Sequence, residues 1–288
     1  MTASPWRGHE LGTRTVAYTE RDAILYALAV GARADELDLV FEERLRVLPT
    51  FALTLAQWAP DALGVLGAFD TTTAVHGAQR LTVRQPLPRA GELTMTAHVA
   101  EVWDKGGAAV FDVEVHSEHF LATWSLFAPG GGGFGGERGP GSPRRPEAPA
   151  DRRLTLATHR EQAAQYRLLG DRHHMHIDPD AARAAGMPRP FLHGLCTLAA
   201  LTLPAAGTLG AHPADLTDLE ARFSAPVFPG DRLTAEAWDD GPGRLRIEAS
   251  AHGHPVLTGV RTRFATAPTT FTASATRQQS PYEESSDA

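Results

Sequence analysis

An α+β fold in which both halves repeat the same order of elements and a long sheet curls around a central helix is what this sequence of 288 residues predicts. Three observations carry the prediction: motifs that recur in the same order in both halves, segments that alternate apolar and polar residues at the period of a half-buried strand, and one helix-length run that is apolar on every side. With 42% apolar residues the chain can bury a large core, and its length suits one large domain or two small ones.

The elements follow in order. TERDAILYAL (residues 19–28) opens with Thr19 and places Asp22 three residues on, the pattern of a capping box, so a helix begins there. The apolar stretch 24–30 reads as buried. A His-Gly pair follows at His76 and Gly77, then PLPRAGELTMTA (86–97), a Pro-rich turn leading into a strand. Leu93, Met95, Ala97 and Val99 share one face of that strand, and Ala109, Phe111, Val113 and Val115 share a face of the next. Gly, Pro and Arg then dominate, which predicts neither helix nor strand and divides the chain into a unit over 1–130, a linker over 131–150 and a second unit over 151–265.

The second half repeats the order. THREQAAQYRL (158–168) has Thr158 with Glu161 three residues later, predicting another capped helix; His193 and Gly194 form a second His-Gly pair; APVFPGDRLTAEA (225–237) matches the earlier turn and strand. Leu233, Ala235 and Ala237, then Leu245, Ile247, Ala249 and Ala251, alternate as before. Leu195, Leu198, Ala199, Ala200 and Leu201 make the all-round apolar helix that a sheet can enclose. Residues 266–288 carry almost no large apolar side chains and are expected to be disordered.

Composition removes several function classes. A formal net charge of −7 opposes a nucleic-acid surface, which needs cations to displace counterions from phosphates. The single cysteine, Cys196, excludes an intramolecular disulfide and a cysteine-rich zinc site. The apolar runs fall short of a membrane span, and no N-terminal run has the pattern of a signal peptide, so a cytoplasmic location is expected.

The densest set of reactive side chains is GDRHHMHIDP at 170–179. Asp178 reads as an N-cap with Pro179 at the first position of a helix running to Ala185 and Gly186 as its stop. A metal site is a second reading, opposed because His173 and His174 are adjacent and no histidine pair has helical i, i+4 spacing. General acid/base chemistry is the third: Asp171 and His176, five residues apart on a loop, could reach one water or substrate carbon. On residue types alone, structural capping and acid/base chemistry stand level.

GDRHHMHIDP at 170–179, followed by RPFLHGLCT at 189–197, resembles the hallmark of the hydratase 2 group of MaoC-like enoyl-CoA hydratases, G-D-x-N-P-L-H-x-D-P and then P-I-L-H-G-L-C-T. The resemblance extends through YTERDAILYALAVGA (18–32), VLPTFA (47–52), VHGAQ (75–79), PLPRAGEL (86–93), DKGGAAV (104–110) and GGFGG (132–136), and so covers nearly the whole chain to about Phe264. It implies a double hot-dog, each half a curved antiparallel sheet wrapped around a helix, with a catalytic C-terminal half and a degenerate N-terminal half that accommodates the acyl chain. In that family, the residues matching Asp171 and His176 hold the water that adds to a trans-2-enoyl-CoA, giving the (3R)-3-hydroxyacyl-CoA. The reaction builds enolate charge on the thioester oxygen, and the backbone N–H of Gly194, at the positive end of the buried helix, suits an oxyanion hole.

One departure stands out: the family's Asn is His173 here, and its Pro-Leu is His174 and Met175. His173 is expected to support the catalytic pair as a hydrogen-bond donor, and His193 to cap or satisfy nearby backbone. Cys196 is expected to be a packed core residue, Tyr166 a packing group and Arg167 a surface group. No cofactor and no metal are implied, and a homodimer is expected by analogy. The substrate is an acyl-CoA thioester, with an acyl-carrier protein as the other possible carrier; Arg144, Arg145, Arg152, Arg153, Arg183 and Arg189 are the candidate phosphate cations. Alternatives are a dehydratase acting on carrier-bound acyl thioesters in polyketide or lipid biosynthesis, a thioesterase, and a non-catalytic acyl-thioester binding protein.

Overall fold

A computed structural model describes residues 4–265, so the expected disordered tail lies outside the described residues. The first half runs β1 (Glu10–Tyr18), α1 (Glu20–Ala29), α2 (Leu37–Val40), α3 (Phe51–Leu55), α4 (Trp58–Val65), β2 (Val75–Val83), β3 (Gly91–Asp104), β4 (Ala108–His116) and β5 (Phe120–Pro129). The second runs β6 (Arg152–Ala157), α5 (Gln162–Tyr166), α6 (Pro179–Ala184), α7 (Gly194–Thr208), β7 (Leu216–Phe223), β8 (Arg232–Asp239), β9 (Arg244–Ala251) and β10 (His254–Phe264).

The ten strands form one antiparallel sheet in the order β1-β3-β4-β5-β2-β7-β10-β9-β8-β6. Read outward from the central β2/β7 seam, both halves have the same order, which is the duplication expressed as topology. At the seam Leu81 faces Leu219, and Arg80 faces Glu220 at 3.6 Å. The alternation read from the sequence holds: Met95, Ala97, Val99, Val113, Val115, Leu233, Ala237 and Ala249 all lie in the core. The sheet's inner face wraps α7, whose residues 195–202 are buried on every side. Burying a Leu or Val side chain contributes roughly 1.5–3 kcal/mol, so this apolar lining is the main source of the fold's cohesion.

Four sequence expectations need correction. Thr19 does form the capping box with Asp22. Thr158 does not: its hydroxyl donates to the Asp231 carbonyl at 2.8 Å and accepts from Gly230 N–H, tying the chain to the turn before β8, and the helix starts later with Glu161 as an N-cap lacking a side-chain bond. The two His-Gly pairs are not structural equivalents. His76 and Gly77 begin strand β2, whereas His193 and Gly194 begin helix α7. By chain order, the counterpart of α7 is the interrupted pair α3 and α4, which opens on Phe51. Third, α1 is only half buried, with Leu25 and Leu28 each 40% exposed.

The fourth concerns residues 131–150. They form no helix or strand, as expected, yet they are bound to the sheet along their length. Asp104 Oδ1 accepts from Gly106 and Gly133 N–H and Oδ2 from Gly135 N–H, at 2.7–2.8 Å. A Cβ on Gly132 would lie 2.4 Å from two carbonyl oxygens, so only glycine fits there. Gly139 packs on Trp103, Pro143 covers Gly259, and Trp238 Nε1–H donates to the Ala148 carbonyl at 2.7 Å. The segment is a strap across the outer face of both halves.

Candidate active site

The loop between α5 and α6 carries Asp171, His173 and His176, and α5 fixes where it starts. Tyr166 ends α5 fully buried, with its hydroxyl 3.2 Å from Thr54 of α3 and its ring 4.8 Å from that of His193. Gly170 follows against Thr54, where a Cβ would lie 3.1 Å from the Thr54 carbonyl oxygen. The loop's far end is tied by Asp178, which accepts from Asp180 N–H as the N-cap of α6, with Pro179 at its first position and Gly186 at φ +77° beyond its end. That capping reading is right, and it leaves Asp171 and His176 free for another role.

Asp171, His173, His176, His193 and Gly194 all come together. His176 is buried, and its Nδ1–H donates to the Phe191 carbonyl at 2.9 Å, which leaves Nε2 as a lone-pair acceptor. Its ring lies 3.8 Å from the His193 ring at 30° and 4.7 Å from Phe191. His193 Nε2–H donates to the Asp171 carbonyl at 3.1 Å, so the histidine satisfies backbone. Asp171 Oδ1 accepts from both His173 N–H at 3.1 Å and His173 Nδ1–H at 2.5 Å.

These contacts set the charges. Burial pushes the Asp171 carboxyl up, but the His173 hydrogen bond and the surrounding imidazoles outweigh it and hold the group well below the usual carboxylate range. The Asp171 hydrogen bond raises His173 to about 9 against the opposing effect of burial, with Asp61 of α4 adding to the rise. Burial lowers His176, and it lowers His193 to about 3. At neutral pH the loop therefore holds an ionised Asp171, a protonated His173, and neutral His176 and His193.

Gly194 opens α7, where His193 as N-cap supplies no side-chain hydrogen bond to the first turn. A Cβ at Gly194 would lie 2.8 Å from the ring of Phe223, the last residue of β7. His76 from the first half packs on the other side of this region, its ring 4.7 Å from Phe223 and its Nε2–H on the Ala78 carbonyl at 2.9 Å. Burial lowers His76 to about 4, so it too is neutral.

Asp171, His176 and His193 each bring a polar atom within 4.8 Å of the others, a spacing that an ion could share. The chemistry of the set opposes it. The His193 nitrogen facing Asp171 is bonded to a carbonyl, which only accepts, so it carries a proton and offers no lone pair.

Sequence reasoning missed Asp61 and Phe223, and treated Tyr166 only as packing. Asp61 carried a weak signal, a lone acid within the apolar segment QWAPDALGV. Arg167 is partly exposed, with its Nε buried. Among the candidate cations, Arg145 pairs with Glu236, Arg152 with Asp239 and Arg183 with Asp180. Arg189 lies 3.9 Å from Asp231 and joins Arg160 in lining a cavity of about 590 Å³ with Pro190, Pro229, Gly230 and Asp231. Cys196 is buried in α7 against the Ala29 carbonyl.

Two half-sheets, each curled around helices and joined side by side at the β2/β7 pair, define a double hot-dog. The comparisons agree: residues 16–123 match the MFE-2 hydratase 2 N-terminal domain and residues 142–258 the MaoC-like domain. The 3-hydroxyacyl-thioester dehydratase Y of Mycobacterium tuberculosis is 38% identical over 82% of this chain and 87% of its own. The peroxisomal multifunctional enzyme type 2 of mouse is 36% identical over 85% of this chain, which spans 36% of that longer protein. The crystal structure of a MaoC-like dehydratase from Phytophthora capsici superposes with a TM-score of 0.79 at 25% identity, covering 90% of this chain and 96% of that one. This chain belongs to the MaoC-like hydratase 2 family of enoyl-CoA hydratases and 3-hydroxyacyl-thioester dehydratases. Among the described residues no helix is long and apolar enough to cross a membrane.

Proposed function

We propose that the chain interconverts trans-2-enoyl-CoA and (3R)-3-hydroxyacyl-CoA, with Asp171 and His176 as the acid/base pair and the Gly194 N–H as oxyanion donor. The observation that carries this reading is the hydrogen bond from His176 Nδ1–H to the Phe191 carbonyl, which fixes the tautomer so that Nε2 accepts. With Asp171 ionised, two acceptors share one space, and a water can donate one hydrogen to each while its lone pair faces the β-carbon.

In hydration the water oxygen bonds to the β-carbon, one of its protons passes to the acid/base pair, and the π electrons move onto the thioester oxygen. The Gly194 N–H, in the uncapped first turn of α7, meets that developing charge. A proton delivered to the α-carbon completes the balance; dehydration runs the same steps in reverse. Gly194 is suited to this place because a Cβ would lie 2.8 Å from the Phe223 ring and push the helix start, with its N–H, away from the loop. His173 replaces the family's Asn as donor to Asp171, holding the carboxylate in place through Oδ1 and leaving Oδ2 for the water. Arg160 and Arg189 line a cavity whose charge suits the phosphates of the carrier, whether coenzyme A or the phosphopantetheine of an acyl-carrier protein.

The test is the fall in enoyl-thioester absorbance on mixing the purified chain with a short and a long trans-2-enoyl-CoA. Turnover to the (3R) product that is lost in Asp171→Asn and in His176→Gln supports the reading. Turnover that survives both substitutions overturns it.

A further inference from the structure

We propose that His98, Glu114 and His116 form a binding site for a zinc-class divalent cation on the outer face of β3 and β4, away from the active site. The sheet register builds it. His98 and Glu114 are directly opposed across the β3/β4 pair, and His116 lies two residues beyond Glu114, opposite Thr96. Their sequence neighbours Ala97, Val99, Val113 and Val115 are fully buried on the inner face, so these three side chains must point outward.

The geometry is close to that of a chelate. His116 Nε2–H donates to Glu114 Oε2 at 3.2 Å, and His98 Nε2 lies 4.0 Å from the same oxygen; because Glu114 is itself a ligand of the set, an ion would take the place of the His116 proton between them, and one ligand atom from each residue lies within 4.8 Å of the others. The two imidazoles sit 5.5 Å apart at 29°. A tetrahedral zinc ion with bonds of about 2.0–2.1 Å has ligand-to-ligand separations of about 3.4 Å, so rotamer adjustment alone closes the set. Two neutral imidazoles with one carboxylate are the donors that zinc and neighbouring borderline-soft ions take, and calcium or magnesium, which prefer all-oxygen shells, do not. A fourth oxygen is at hand, since Glu10 of the edge strand β1 stands opposite His98 on its other side.

The alternative is a half-exposed His116–Glu114 hydrogen bond with His98 beside it, which would bind no ion in the titration below. A bound ion would tie β3 to β4 and, through Glu10, hold the edge strand β1. The expected consequence is stabilisation of the folded chain by mass action, with no change in chemistry at Asp171.

The experiment titrates the chelator-treated full chain with zinc by calorimetry, and with cobalt(II) by its d–d absorption. The partners are His98→Ala/His116→Ala and Asp171→Asn/His176→Gln. One equivalent bound by the chain and by the active-site variant, weakened tenfold or more in His98→Ala/His116→Ala, with tetrahedral-type cobalt absorption and a zinc-dependent rise in Tm confined to the first two, is the expected result. Binding that survives the His98→Ala/His116→Ala change, binding that disappears in the active-site variant, or no binding to the chain at micromolar zinc would each overturn the proposal. Glu114→Gln, which keeps the shape and removes the charge, should reproduce the loss without unfolding the sheet.

Discussion

The two halves share one topology and differ at one point, the entrance to the helix each sheet surrounds. In the second half α7 runs unbroken for 15 residues and starts at Gly194, with the Asp171–His176 loop folded over its first turn. In the first half the helix that comes at the same place in chain order is broken into α3 and α4 and opens on Phe51. Phe51 is 1% exposed and packs on Tyr18 and Tyr26 at ring distances of 5.3 and 4.9 Å. One half fills this region with an aromatic core; in the other, Gly194 sits tightly against the ring of Phe223. Under the proposed function, one half can thus lack the acid/base pair with no change of topology, while its Thr54, Asp61 and His76 lie near the Asp171 loop and Phe223.

The comparison can be broken most sharply at the pair itself. Asp171→Asn and His176→Gln should each lower kcat/KM by about 10²- to 10⁴-fold with the fold retained and Tm lowered only modestly by the lost His173 and Phe191 contacts, measured by single-turnover hydration and thermal melts. A retained rate would mean that the loop's position, not its chemistry, distinguishes the halves. Phe51→Ala should do the reverse, costing about 3–5 kcal/mol in denaturant unfolding because it opens a cavity under Tyr18 and Tyr26. Gly194→Ala makes the second half resemble the first. The added methyl meets the Phe223 ring, so a loss of about 1–3 kcal/mol in stability is expected, together with a fall in kcat from the obstructed N–H.

The smallest effect concerns His173. Its value near 9 in the folded chain lies above that of a free imidazole, so its contribution to stability is fully present below about pH 6.5 and fades as pH rises through 9. Asp171, held below its free value, acts oppositely: its contribution is present above about pH 4 and fades as the solution becomes more acidic. The ring of His173 is half exposed, which keeps its share small. The pH profile of kcat/KM should show an alkaline limb near 9 that is absent in His173→Asn; an unchanged limb would show that His173 does not support Asp171 through its charge.

The sequence made the strands and α7 legible because burial writes a local period. Leu245, Ile247, Ala249 and Ala251 alternate, and Leu195 to Ala206 is apolar but for Thr197 and Thr202. The capping of α6 was equally legible, since Asp178 and Pro179 act within two residues of themselves. What failed were readings of two-residue coincidence and of partners distant in sequence. His76-Gly77 looks like His193-Gly194, yet pairing of β2 with β5 and β7 makes the first a strand. Thr158 is bound by Gly230 and Asp231, more than 70 residues away, so local pattern alone could not exclude it as a cap. In the site, Asp171, His176 and Gly194 stood within one motif, but Asp61 and Phe223 come from elements that only the fold brings near.

The strap over residues 131–150 has a further consequence. Joined by a short tether pinned to both outer faces, the halves meet at an effective concentration that separate subunits reach only at millimolar levels, so each second half always docks on a first half and never on a copy of itself. In a pair of identical subunits, any residue change appears on both sides of the seam. Covalent linkage removes that constraint: the helices that open on Phe51 and on Gly194 can differ, and the single-chain arrangement lets symmetry of backbone coexist with division of labour.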